Sequence, residues 1–154
     1  MKFGIYTLII ESHLRVRLPG FGKFDFGWGN GYVLIPHNHP FYGVNYDELA
    51  LDAHGGLTYG EKFKETRFLE WVECREIDGD ITRENFEKFQ NYWMIGFDTA
   101  HSGDNLDDCS KVYVMNETNN LLEQCLDDNI KGMKKYKSVY LRKDKLKKIN
   151  ASVV

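Results

Sequence analysis

The sequence predicts an α+β fold. One domain spans residues 1–154, a small, mostly antiparallel sheet with one main helix, at about 110–130, packed on it. Three observations predict this. Val114, Thr118, Leu121, Leu122 and Cys125 share one face of a helix, at i, i+4, i+7, i+8 and i+11. Tyr32–Ile35 and Tyr92–Phe97 are short apolar runs closed by Pro36 and Asp98, the pattern of buried strands. The chain is 42% hydrophobic and 28% charged, and its 154 residues can bury a core without staples.

The elements follow in order. Phe3 to Ile10 is mostly apolar and has the look of a short signal sequence, but Glu11 follows at once and no small-x-small cleavage pattern appears. Leu14, Val16 and Leu18 alternate with His13, Arg15 and Arg17, a period-two strand stopped by Pro19-Gly20. Next, Phe24, Phe26 and Trp28 would share one face of an extended chain, and Gly27, Gly29 and Gly31 the other. A glycine face admits another backbone or a ligand, and this spacing is not a dinucleotide fingerprint. His37 to Gly43 is a polar, turn-rich loop, and Tyr46–Leu51 is a short helix or strand.

Residues 60–92 lack clean periodicity. Phe68, Trp71 and Val72 begin an amphipathic segment, and Asp78-Gly79-Asp80 is a turn. Thr82 caps a short helix with Phe86, Phe89 and Trp93 on one side. The main helix starts at a cap on Asp108 or Ser110 and ends at Gly132. Ser138–Leu141 is a candidate edge strand.

Charge is unevenly placed. Residues 131–154 carry nine Lys and Arg against Asp144, while residues 1–130 carry 11 basic and 22 acidic residues. The basic C-terminal segment is not a separate domain. It folds back on the acidic body, lies solvated, or touches a partner. Nucleic-acid binding through 131–148 is not favoured, since only Tyr136 and Tyr140 offer a stacking platform. Cys74, Cys109 and Cys125 are odd in number and widely spaced, which disfavours a cysteine zinc cluster and suits a reducing cytoplasm. No apolar run reaches the ~20 residues of a membrane span. Cys109 has only His101 near it in sequence and reads as a structural thiol. Ser102 lacks a nucleophile-elbow context, and no phosphate-loop, zinc-protease or EF-hand motif is present.

Two segments carry the functional argument. His54-Gly55-Gly56-Leu57-Thr58-Tyr59 pairs a histidine with glycines that permit positive φ and can form an anion-binding nest. Gly96-Phe97-Asp98-Thr99-Ala100-His101-Ser102-Gly103-Asp104 leaves a buried strand, with a carboxylate three residues from an imidazole it can orient. A hydrogen-bonded turn explains each segment alone about as well as a ligand site. Together, His54, Asp98, His101 and Asp104 form a candidate metal set, although no metal is predicted, and the sequence leaves any cofactor open.

These strings also resemble a known family. Gly31-Tyr32-Val33 with Pro36, His39-Pro40 and Tyr42-Gly43 is one element. His54-Gly55-Gly56-Leu57-Thr58-Tyr59 is the second. Trp93 through Gly96-Phe97-Asp98-x-Ala100-His101-x-Gly103-Asp104 is the third. Tyr113-Val114 with Glu117, Leu121 and Gln124 is the fourth. The order resembles a family of small uncharacterised phage and prophage proteins over residues 30–126. The segment 61–91 and the basic end lie outside that pattern. The resemblance implies that the two motif segments belong together, and that the setting is a bacterial host cell.

The expectation is a cleft that joins both segments and binds a small polar, anionic or nucleotide-like ligand. Gly55, Gly56 and Thr58 would donate, Asp98 would fix His101, and His54 and His101 would contact the ligand beside Asp104. Trp93, Tyr59 or Tyr42 would stack on it. In a phage setting this is anti-defence sequestration. One alternative is an acid–base or metal-assisted hydrolase of a phosphate ester or nucleotide, with His54, Asp98 and His101 catalytic. Another is an inhibitor that binds a host defence protein through the acidic body or through Lys134, Lys135 and Lys137. The aromatic content, 14%, could equally supply a homodimer interface.

Overall fold

The computed structural model describes residues 4–12 and 26–126. The strand expected at 13–18 and the residues at 131–154 and 138–141 lie outside the described residues, as does the helix end expected at Gly132. Five strands form one antiparallel sheet: β1 (Tyr6–Glu11), β2 (Gly29–Ile35), β3 (Tyr59–Lys62), β4 (Ile77–Gly79) and β5 (Trp93–Phe97), in the order β3-β5-β2-β1-β4. The apolar N-terminal run is therefore a sheet strand, with Leu8 and Ile9 fully buried.

Period-two alternation sends side chains to two cores. Ile9, Val33, Ile35, Ile95 and Phe97 pack under helix α2 (Lys111–Cys125) with Val114 and Leu121. Leu8, Ile10, Tyr32, Leu34 and Met94 face the other way, where Phe63, Phe68, Val72, Ile81 and Phe89 cover them. A second helix, α1 (Glu65–Cys74), supplies Phe68 and Val72 and stacks Trp71 on Tyr32 at 6.0 Å. The expected sheet and helix are thus joined by a helix on the opposite face. Arg83 donates to the carbonyl of Val72 near the end of α1.

Helix α2 buries Val114, Thr118, Leu121 and Cys125. Its cap is Ser110, whose hydroxyl accepts from Tyr113 N at 3.2 Å, satisfying a free first-turn amide. At the far end His39, almost fully buried, accepts from Phe41 N on Nδ1 (3.0 Å), so its Nε2–H donates to the Cys125 carbonyl at 2.7 Å. The glycine face of residues 27–31 lets the chain's own atoms come close. A Cβ on Gly31 would lie 2.0 Å from Thr118 Oγ1, and one on Gly27 would lie 2.6 Å from the Cys109 Cβ.

The segment 60–92 departs from the expectation in two places. Ile77–Gly79 is an edge strand rather than a turn, because Ile9 pairs with Asp78 and Asp80 N continues the pairing to Thr7 O at 2.8 Å. The short helix is one 3₁₀ turn, Phe86–Phe89, and Trp93 belongs to β5 instead of to that helix. Thr82 does contribute locally, accepting from Glu84 N at 3.3 Å. Tyr46–Glu48 is a further 3₁₀ turn.

Candidate functional site

Strand β5 delivers Phe97 to the core and releases the chain at Asp98. Thr99 turns inward, its hydroxyl donating to Gly29 O at 2.7 Å. Asp98 then does two things. Its Oδ1 accepts from Ala100 N at 3.0 Å, capping the turn, and lies 3.3 Å from His101 Nε2. Its Oδ2 accepts from the Thr58 hydroxyl at 3.0 Å, which joins the two motif segments. The His101–Asp98 approach is an ion-pair distance without hydrogen-bond alignment, and Nε2 is sealed from solvent.

The chain next doubles back. Asp104 N bonds to His101 O at 3.0 Å, and His101 N donates to Asp104 Oδ2 at 2.9 Å. Gly103 at the bend has φ 91°. This aims Asp104 Oδ1 at His54 Nε2, 2.9 Å away. His54 sits in a turn closed by Gly56 N to Ala53 O at 2.9 Å. Gly55 in that turn has φ 67°, and a Cβ there would lie 2.3 Å from His101 Nε2. Its bare backbone is what allows the second imidazole in. The two imidazole centroids stand 5.6 Å apart, with His54 19% and His101 34% exposed.

On its other side His54 Nδ1 meets Tyr113 Oη at 2.7 Å, and Tyr113 Oη donates to Glu117 Oε1 at 3.1 Å. Asp104, His54, Tyr113 and Glu117 therefore form one continuous chain. Tyr113 has a single proton. When that proton points to Glu117, the phenol oxygen accepts from His54 Nδ1–H. When it points instead to His54 Nδ1, the imidazole Nε2–H donates to Asp104 Oδ1. Burial, then Glu117 beside it, push Tyr113 up to about 12, so it remains a phenol at neutral pH.

Cys109 completes the cluster. It is 3% exposed, and its sulfur lies 3.9 Å from His54 Nε2 and 3.8 Å from Asp104 Oδ1. Its imidazole neighbour is thus His54, 55 residues away in sequence, and not His101, because the Asp104–Cys109 turn folds the sulfur back toward the glycine loop. Burial first, and Asp104 second, raise its pKa and keep it a thiol rather than a free nucleophile.

The site residues expected from sequence divide into two groups. His54, Gly55, Thr58, Asp98, His101 and Asp104 converge. The anion cradle does not form as expected: Gly56 N–H is spent on Ala53 O, Thr58 N–H on Gly96 O, and the Thr58 hydroxyl on Asp98. The three stacking candidates lie elsewhere. Tyr59 packs edge-on against Tyr32 on the α1 face, where Arg67 donates to its hydroxyl. Trp93 starts β5, roughly 15 Å along the strand from Asp98, and keeps company with Tyr42. The expected metal set also changes. His54 and Asp104 share a donor cluster with Cys109, whereas Asp98 and His101 form the neighbouring pair. Tyr113 and Glu117 enter the site although they were not among the expected ligand-contacting residues. Their i, i+4 spacing just after Ser110 is the signal that one polar helix face carries both.

Beside the network runs an open groove of about 340 Å³ lined by Asp52, Ala53, Glu117, Asn120, Glu123 and Gln124. Gln124 ties α2 to the loop there, accepting from Asp52 N at 2.7 Å and donating to Asp52 O at 2.8 Å. Glu117 belongs to both groove and network, and the groove adds Asp52 and Glu123 to the acids Asp98 and Asp104. Among the described residues, no helix is long and apolar enough to cross a membrane. Comparison with protein-family models, curated proteins and solved structures found no match.

Proposed function

We propose that the chain binds a small polar ligand at the place where the two histidine segments meet. The observation that carries this is the convergence itself. Two loops from distant parts of the chain put two partly exposed imidazoles 5.6 Å apart, each backed by its own carboxylate. Such a set of oriented polar groups beside a groove is how ligand sites are built. The charge around it favours a ligand that offers hydrogen-bond donors or a positive group to Asp52, Glu117 and Glu123. A nucleotide-like or other anionic ligand fits only when a cation first offsets the carboxylates. Anti-defence sequestration in a phage setting rests on the sequence resemblance alone.

The test is mass spectrometry of small molecules released when the purified protein is denatured. One polar species should leave the wild type and be missing from His101→Ala that folds normally. Identical release from both proteins ends the proposal. The Asp98–His101 pair supports a second reading, acid–base hydrolysis of a phosphate ester or nucleotide. Chemical change of a bound nucleotide, lost in His101→Ala, would select it over intact release.

A further inference from the structure

We propose that His54 Nε2, Asp104 Oδ1 and Cys109 Sγ bind one divalent cation of zinc-like character, with a fourth position left open. The proposal deepens the ligand-site reading by naming an occupant for its centre. Three observations carry it.

The first is distance. The three atoms are separated by 2.9, 3.8 and 3.9 Å. A point equidistant from them lies about 2.1 Å from each, against roughly 2.0–2.2 Å for zinc to nitrogen or carboxylate oxygen and 2.3 Å to sulfur. The second is donor type. Imidazole, carboxylate and thiolate together match a borderline-soft ion such as zinc, and a thiolate disfavours magnesium or calcium.

The third is what holds each donor. His54 Nδ1 is fixed by Tyr113, whose hydroxyl is fixed by Glu117, so the imidazole presents Nε2 to the cluster. Asp104 Oδ2 is occupied by His101 N, so Oδ1 is the oxygen presented. Cys109 is pinned by its amide to Asn105 O at 2.8 Å and by its carbonyl, which accepts from Trp28 N at 2.8 Å. Binding displaces the thiol proton of Cys109 to solvent, and the cation takes the place of the proton between His54 Nε2 and Asp104 Oδ1. It also offsets Asp104 and leaves an open position for an oxygen of a bound ligand.

Cobalt(II) added to the full chain under reducing conditions tests this directly. The expected result is one equivalent bound, a thiolate-to-cobalt band in the near ultraviolet, and displacement by zinc. Cys109→Ser should abolish the band, and Cys74→Ser should leave it intact. Absence of the band in the wild type, or its loss in Cys74→Ser instead, overturns the proposal. Should Cys109→Ser fail to fold, Asp104→Asn serves. A fall in cobalt affinity of at least about tenfold supports the site, and unchanged affinity overturns it. Small-molecule release from metal-stripped protein separates the two readings. Release persisting without any cobalt signal removes the cation and keeps the ligand site.

Discussion

The two faces of the sheet are built for different ends. The α1 face is closed by Phe63, Phe68, Phe89 and Ile81, all buried, and its ring contacts are mutual: Phe68 lies 5.5 Å from Phe63 and 5.1 Å from Phe86. The α2 face is apolar in its middle, but at the end where β5 releases Asp98 it changes to His54, Asp104, Cys109, Tyr113 and Glu117. A face that seals itself with aromatics can give stability and little chemistry. A face that leaves polar groups along its rim orders them through one another, as Asp104, His54, Tyr113 and Glu117 do, and that ordering is what a site requires. The segment 61–91 supplies the seal, and the two motif loops supply the rim.

The largest way to break this division is on the sealed side. Phe68→Ala removes a fully buried ring and should cost about 3–5 kcal/mol, measured by urea unfolding. The folded fraction should still bind cobalt like the wild type. A parallel loss of affinity would show that the faces are not separate.

Gly55→Ala should cost less in stability and more in binding. The φ of 67° and the 2.3 Å approach to His101 Nε2 together predict about 1–3 kcal/mol. Ligand release should be lost, since His101 must move. Removing the ring in Gly55→Ala/His101→Ala should restore part of the stability, measured as the thermal midpoint, but none of the binding. A double variant no more stable than the single would place the cost in the backbone alone.

These contrasts follow what could be read before the structure. Helix α2 was legible because Val114 to Cys125 is long enough to show its period, and Tyr32–Ile35 and Tyr92–Phe97 were legible as unbroken apolar runs. The sealed face was legible only in part: Phe68, Trp71 and Val72 marked the amphipathic segment that is α1, but its other pieces are too short for periodicity, β3 having four residues, β4 three and the 3₁₀ turn four. At the rim, each motif showed a histidine near a partner in sequence. Asp98 and His101 were therefore visible as a pair, whereas the His54–Asp104 and His54–Cys109 contacts span 50 and 55 residues. Tyr113 and Glu117 were hidden by the helix pattern that revealed their neighbours. The stacking aromatics misled because large rings are more often core, and Tyr59 serves the sealed face.

Tyr113→Phe sharpens the rim further. It deletes one hydroxyl and leaves His54 Nδ1 and Glu117 without their shared partner, at a cost of about 1 kcal/mol in this partly exposed place. Cobalt affinity should fall roughly 10- to 100-fold, because the imidazole loses the bond that orients it. Unchanged affinity would mean that the relay has no part in presenting Nε2.

The smallest expected effect lies where the two faces are tied together. Lys111, in the first turn of α2, reaches Glu76 Oε1 at 2.7 Å and Asp78 Oδ2 at 3.0 Å, joining the α2 side to the edge strand β4. The Gly79 amide and then Lys111 hold the Asp78 carboxyl below its ordinary value of 3.8. A carboxylate depressed in the folded state stabilises the fold above that value and loses the contribution as pH falls through the folded one. Both partners are well exposed, so the contribution is under about 1 kcal/mol. Asp78→Asn should keep the Gly79 bond, lose the Lys111 attraction, and flatten the fall in urea midpoint as pH drops from about 5 to below 3.8. An equally steep fall in the variant would show that the Lys111 tie between the two faces does not carry the acid sensitivity.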